Sequence, residues 1–195
     1  MTRTWEDRSG SVRPVLLVVA ATERELECAR GAQTLCCGIG PVEAALTTAR
    51  ALGELRPSAV LHVGLAGARR IEPPALVLGS AAVYCDLVDP SFTLPRIERV
   101  DPDASLLAAA RAALPDAFVL PIGTSARVGS GLAYDVEAME GFGVLRAAQL
   151  AGIPAVELRA VANDPEEPDR SRWRIPDALA ALDAALPTLL AALSA

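Results

Sequence analysis

The stretch Pro14-Val15-Leu16-Leu17-Val18-Val19-Ala20-Ala21-Thr22-Glu23-Arg24-Glu25 decides the fold. From Pro14 to Ala21 it is apolar without alternation, and polar sequence brackets it, which suits a strand buried on both faces. Thr22, with Glu25 three residues later, forms a capping box for a helix running to about Arg30. A buried strand feeding a helix is one β-α unit, and similar units follow. Ala32 to Cys37 reads as a second strand. Gly38-Ile39-Gly40-Pro41 turns the chain into an Ala-rich helix ending near Gly53. Ala59 to Val63 is a strand that enters the glycine-bearing turn Gly64-Leu65-Ala66-Gly67, and Leu76 to Leu87 reads as extended. After a connection rich in Pro and Asp (Asp89 to Pro102), Ala104 to Leu114 is helical and Ala117 to Ile122 a strand. Val136 to Leu150 is helical, Ala155 to Val161 a strand, and Pro176 to Leu193 a closing helix. Such alternation implies a mainly parallel sheet covered on both faces, within one α/β domain over 14–195 behind a flexible tail, 1–13. Ligands of such sheets sit beyond the carboxyl ends of the strands, where Glu25, the Gly64 turn, Ser125 to Gly131 and Asn163 fall.

Composition narrows the function classes. The chain has 195 residues, 52% of them hydrophobic, enough for a sizeable core. Its 18 basic and 24 acidic residues give a net charge of −6, and the basic ones are scattered, which argues against a nucleic-acid partner. No apolar run approaches the roughly 18 residues of a membrane span. The Ala/Leu-rich C-terminal stretch is interrupted by Asp183 and Pro187 and reads as a packed amphipathic helix. With no leader pattern at the N-terminus, a cytoplasmic location is expected. Cys28, Cys36, Cys37 and Cys85 lack the spacing of a zinc or redox site, so buried thiols and no metal are expected.

Several motifs fail. Glu43 stands where a dinucleotide fingerprint needs its third glycine, which leaves a Rossmann cofactor unsupported. Gly123-Thr124-Ser125-Ala126-Arg127 lacks the final glycine of a nucleophile elbow, and the single histidine, His62, lies within a strand and reads as a satisfied core residue.

Four segments in order resemble the nucleoside phosphorylase and nucleosidase superfamily: Val18 to Glu25, Cys37 to Ala45, Val63 to Gly67, and the block from Glu137 to Trp173. Within the block, Ala138-Met139-Glu140-Gly141 resembles the family's ribose-binding motif, and Pro154 to Asn163 its strand leading to the base-recognition residue. The tail Asp169-Arg170-Ser171-Arg172-Trp173 is most similar to the futalosine-hydrolysing branch, which serves one menaquinone pathway. The resemblance implies a three-layer α/β/α sandwich with a central mixed, mainly parallel sheet. It also implies a small-molecule nucleoside as partner, no cofactor, and a homo-oligomer.

The chemistry asks for these residue types. Cleaving a ribosyl C–N bond builds an oxocarbenium-like sugar, so positive charge, a departing base and an attacking water must all be managed. By resemblance, Glu140 takes the ribose hydroxyls over an apolar contact from Met139, and Glu25 is the general base for water. Asn163 stands where adenine-cleaving relatives carry aspartate. Its amide donates to a 6-oxo group and N7, which argues for hypoxanthine or guanine as leaving base. Gly67, Val128 and Trp173 complete the expected binding set, and Arg127, Arg170 and Arg172 are candidates for a 5′ carboxylate. From the residues alone, Glu25 reads first as a helix cap and Asn163 as a turn initiator, and core packing is the competing account of Trp173. Arg159, in a buried strand, is expected to serve an internal carboxylate. Leu65, Ala68 and Ala138 depart from the family pattern, replacing a small polar residue, a glycine and a glutamate. The rivals are a phosphorylase, for which Arg24 and Arg50 are the available cations, an adenine-specific methylthioadenosine/adenosylhomocysteine nucleosidase, and a nonenzymatic nucleoside binder.

Overall fold

The structure, a computed structural model, describes residues 15–87, 95–129 and 133–194. The expected tail over 1–13 lies outside them, as do part of the connection after Leu87 and the end of the Ser125 to Gly131 segment. In chain order the elements are β1 (Leu16–Ala20), α1 (Glu23–Leu26), β2 (Gln33–Cys36), α2 (Pro41–Leu55), β3 (Ala59–Ala68), β4 (Leu76–Tyr84), β5 (Arg99–Val100), α3 (Ala104–Ala113), β6 (Phe118–Thr124), β7 (Val136–Ala138), α4 (Gly141–Ala151), β8 (Ala155–Asn163), a 3-10 turn (Arg170–Arg172) and α5 (Ile175–Leu193).

The sheet is mixed and mainly parallel, as expected. β1 runs parallel to β2 and β3, β3 to β8, and β6 to β4 and β7; the antiparallel pairs are β3 with β7, and β4 with β5 and β8. Because β8 bonds both β3 and β4 while β7 bonds both β3 and β6, the middle strands close on themselves. Local sequence patterns carry no trace of that closure, which depends only on long-range pairing.

Successive strand residues face opposite layers. Val18, Ala20, Leu61, Val63, Val156 and Leu158 pack against α1, α3 and α5, whereas Leu17, Val19, Val60 and Ala155 pack against α2 and α4. Gly143 sets the α2/α4 approach, since a Cβ there would lie 2.5 Å from the Pro41 carbonyl oxygen. The segment Arg170–Leu193 is long and apolar enough to cross a membrane by composition. Its buried residues Ala178, Leu182, Leu186 and Leu189 recur at helical spacing in the core, so α5 lays one apolar face on the core, in line with the packed amphipathic helix expected.

Three local expectations need correction. Val136–Ala138 is a strand, not the start of a helix: it is captured between β3 (Ala68 with Val136) and β6 (Ile122 with Val136), and such pairing overrides local propensity. The helix starts only at Gly141, where the Thr124 hydroxyl accepts from the Phe142 N–H at 2.9 Å. The Gly64 to Gly67 stretch is no turn, because β8 pairs with it residue by residue and holds it in strand. The helix after Thr22 is a single turn, though its capping box is present. Of the cysteines, all free, only Cys37 is fully buried; burial pushes its thiol up to about 12 and that of Cys28 to about 11.

Candidate active site

At the carboxyl ends of β1, β3, β7 and β8 lies a cavity of about 360 Å³. The seven residues expected to form the site, Glu25, Gly67, Val128, Met139, Glu140, Asn163 and Trp173, all line it, although they come from segments spread over most of the chain.

The capping box positions Glu25. Its Oε2 accepts from the Thr22 N–H at 3.0 Å and the Thr22 hydroxyl at 2.7 Å, and its Oε1 accepts from the Leu65 N–H at 2.9 Å. The cap and cavity readings of Glu25 are therefore one arrangement: the cap holds the carboxylate at the cavity floor. Three donors leave part of its lone-pair capacity facing the cavity. Gly64 makes room for this, since a Cβ there would lie 2.8 Å from Glu25 Oε1 and 2.4 Å from Arg159 Nη1.

Glu140 is the N-cap residue of α4, not a residue within it, and is 4% exposed. Its Oε1 accepts from the Gly40 N–H at 3.1 Å, and its Oε2 lies 3.5 Å from Arg159 Nη1. Met139, half-buried, precedes it in the bend leaving β7. Arg159 meets internal carboxylates, as its strand position implied. Its Nε donates to Glu157 Oε1 at 2.7 Å, and its Nη2 bonds His62 Nε2. Burial works against its charge, but Glu157, Glu140 and Glu25 outweigh that and raise its pKa. His62 is a fully buried, satisfied residue: Nδ1 faces the Val19 carbonyl at 2.9 Å and Nε2 faces a guanidinium. A carbonyl only accepts and a guanidinium only donates, which fixes the neutral Nδ1–H tautomer. Burial first, then Arg159, holds the His62 pKa well below 6.5.

Asn163 ends β8 and pairs in register with Gly67. Its Nδ2 donates to the Asp164 carbonyl at 3.0 Å, which leaves its second N–H and its Oδ1 for the cavity. A Cβ on Gly67 would crowd Asn163 Nδ2 at 3.2 Å. Trp173 is brought back to the cavity by the Arg174 N–H, which donates to the Ala162 carbonyl at 2.7 Å, and its indole N–H donates to Glu167 O at 3.3 Å. Arg170 lies over its ring at 5.3 Å and Arg172 pairs with Glu167 at 2.8 Å. Of the arginines considered for a 5′ carboxylate, only Arg127 lines the cavity, beside Arg24; Arg50 does not.

Two buried acids escaped the sequence reading. Glu137 lines the cavity, pairs with Arg69 at 3.1 Å and accepts from the Gly129 N–H, tying the Val128 loop to the end of β3. Misreading β7 as helix hid its direction. Glu157 was legible only as a second charge, beside Arg159, in a mostly apolar strand.

A family model described as the phosphorylase superfamily matches residues 31–194, and the chain belongs to that superfamily. A futalosine hydrolase of Streptomyces coelicolor is 35% identical to it, with the match covering 82% of this chain and 78% of that one. Among solved structures, a futalosine hydrolase mutant of Helicobacter pylori superposes with a TM-score of 0.80 at 17% identity, over 91% of this chain and 99% of that one. A Streptococcus pneumoniae MTA/SAH nucleosidase in complex with 8-aminoadenine gives 0.80 at 19% identity, over 92% and 100%. At those identities the two structures speak for the fold. The expectation of an enzyme acting on N-glycosyl bonds is met at the level of the family.

Proposed function

We propose that the chain hydrolyses the N-glycosidic bond of a 6-oxopurine nucleoside, with futalosine as substrate and hypoxanthine as leaving base, a step of menaquinone biosynthesis. The observation that carries this is the convergence of Glu25, Glu140 and Asn163 on one cavity, two carboxylates at its floor and an amide at its side. At about 360 Å³ it lies within the usual range for small-molecule sites. Glu140 accepts from the ribose hydroxyls and stabilises the developing cation. Glu25 takes a proton from a water attacking the anomeric carbon as the C–N bond breaks. The bond's electron pair passes to the purine, where Asn163 donates to O6 or N7. Met139 contacts the sugar, Val128 and Trp173 flank the base, and Gly67 lets the base approach the strand.

A phosphorylase would need an anion site, and Glu25 at the floor repels phosphate; Arg24 sits on the cavity but is exposed. An adenine-specific nucleosidase would use an acid where Asn163 stands. A homo-oligomer is part of the proposal, on the exposed apolar row of Ile39, Val42 and Leu46 beside the cavity mouth.

The test is to incubate the protein with futalosine, inosine and methylthioadenosine and identify the base released. Hypoxanthine from futalosine supports the proposal, and adenine from methylthioadenosine alone contradicts it. Asn163→Asp should shift preference toward 6-amino purines by about tenfold, the scale of one hydrogen bond. Equal loss on both kinds of base would refute the role given to Asn163.

A further inference from the structure

Beneath the cavity floor lies a buried polar row that the proposed chemistry does not use. Val19, His62 and Glu157 are register partners across β1, β3 and β8, and Arg159 follows Glu157 on the same strand face. Glu157 and Arg159 have side chains 0% and 1% exposed. A buried charge pair of this kind is weak evidence for stability, so its presence asks for another reason.

The chain is shaped around the pair. A Cβ on Gly141 would lie 2.4 Å from Glu157 Oε1, one on Gly79 3.3 Å from Glu157 Cβ, and one on Gly64 2.4 Å from Arg159 Nη1. Glycines from three elements thus leave the volume that the two side chains fill. The guanidinium is held on two edges, its Nε by Glu157 Oε1 and its Nη2 by His62 Nε2. The remaining nitrogen, Nη1, faces the Leu65 carbonyl at 3.3 Å and Glu140 Oε2 at 3.5 Å. Leu65 is also the residue whose N–H donates to Glu25. His62 suits its place because its other nitrogen is fixed by Val19, which keeps a lone pair on Nε2 toward Arg159. Glu157 Oε2 has no partner, so its hydrogen bonding goes to the guanidinium alone.

We propose that Glu157 and His62 are positioning residues that clamp two edges of the Arg159 guanidinium, so that Nη1 alone is presented to Glu140 and the Leu65 carbonyl. Freed from the clamp, the guanidinium turns about its bonds, and Nη1 no longer holds the Glu140 carboxylate in one place toward the ribose. The inference rests on the role given to Glu140 above, and its test separates the two.

Two variants remove an acceptor each, Glu157→Met and His62→Leu, and Glu157→Gln restores an oxygen to Nε without the charge. In nitrogen-15 NMR of the full chain, which needs no substrate, Arg159 should show separate, slowly exchanging Nη resonances. They should merge in Glu157→Met and His62→Leu and stay separate in Glu157→Gln. With futalosine, kcat should fall about tenfold or more in the first two with KM changed less, and Glu157→Gln should recover most of it. Resonances that stay separate in Glu157→Met and His62→Leu, or a kcat unchanged where they merge, overturn the clamp. If Glu157→Met fails to fold, His62→Leu carries the same readings. Failure of the wild-type protein to release base defeats the substrate proposal, while the resonances still decide the clamp.

Discussion

The floor of the cavity and its rim are built differently. The floor, with the row beneath it, is charged yet almost fully buried: Glu25 and Glu140 at the cavity, and Glu157 and Arg159 below them, are at most 7% exposed, held by backbone N–H groups and by one another. The rim is half-exposed or exposed, and part of it is held by surface pairs between residues close in sequence, such as Arg172 with Glu167. Interactions in the low-dielectric floor are strong and costly to leave incomplete, whereas those of the rim are screened. On the proposed mechanism the floor sets the reaction, and the rim sets which nucleoside is taken. Changes in the floor should lower kcat, and changes at the rim should raise KM.

The largest effect is expected from Glu25→Gln, which removes the proposed base but keeps the shape: hydrolysis should fall by about 100-fold to 10,000-fold while ligand affinity persists, read by turnover and calorimetry. Unchanged turnover would count against the mechanism. Gly64→Ala puts a Cβ 2.4 Å from Arg159 Nη1 and 2.8 Å from Glu25 Oε1, a displacement that should cost on the order of 100-fold in kcat. A Gly64→Ala protein with normal kcat would mean that the floor tolerates movement. At the rim, Trp173→Ala should raise KM by about tenfold with kcat within about twofold, the scale of one lost base-stacking contact. A kcat loss as large as that of Gly64→Ala would dissolve the distinction between the two regions.

The smallest effect concerns pH. The His62 pKa is held below 6.5 by burial and Arg159, so the unfolded chain binds this proton first as pH falls. The stability linked to neutral His62 is thus present above about pH 6.5 and is lost below it, at up to about 1.4 kcal/mol per pH unit. Melting curves between about pH 7.5 and 5.5 should slope less in His62→Leu than in the wild-type protein. Equal slopes would mean that His62 takes up its proton in the folded protein.

How legible each region was follows from the range of the interactions that build it. The place of Glu25 was visible because strand, cap and acid are contiguous, whereas its role, like that of Glu140 in Met139-Glu140, came from the family resemblance. Asn163 was visible by its place after the strand only as a turn initiator, and the resemblance supplied its role at the base. Glu157 was not: Arg159 stands two residues on along the same strand face, but the pair gains meaning only when His62 and Glu140 are brought beside it by long-range pairing. The helical reading of Val136 to Leu150 failed for the same reason: β7 exists only because β3 and β6 receive it, and with it went the direction of Glu137. Closure of the sheet was likewise absent from local periodicity. The Arg127, Arg170 and Arg172 ambiguity at the rim narrowed once the fold showed which of them lines the cavity.

The claim that water, activated by Glu25, is the nucleophile is tested most directly by following futalosine in phosphate-free buffer. Hypoxanthine should appear at a rate that added phosphate leaves unchanged. Release that depends strictly on phosphate, with a ribosyl phosphate as co-product, would contradict it.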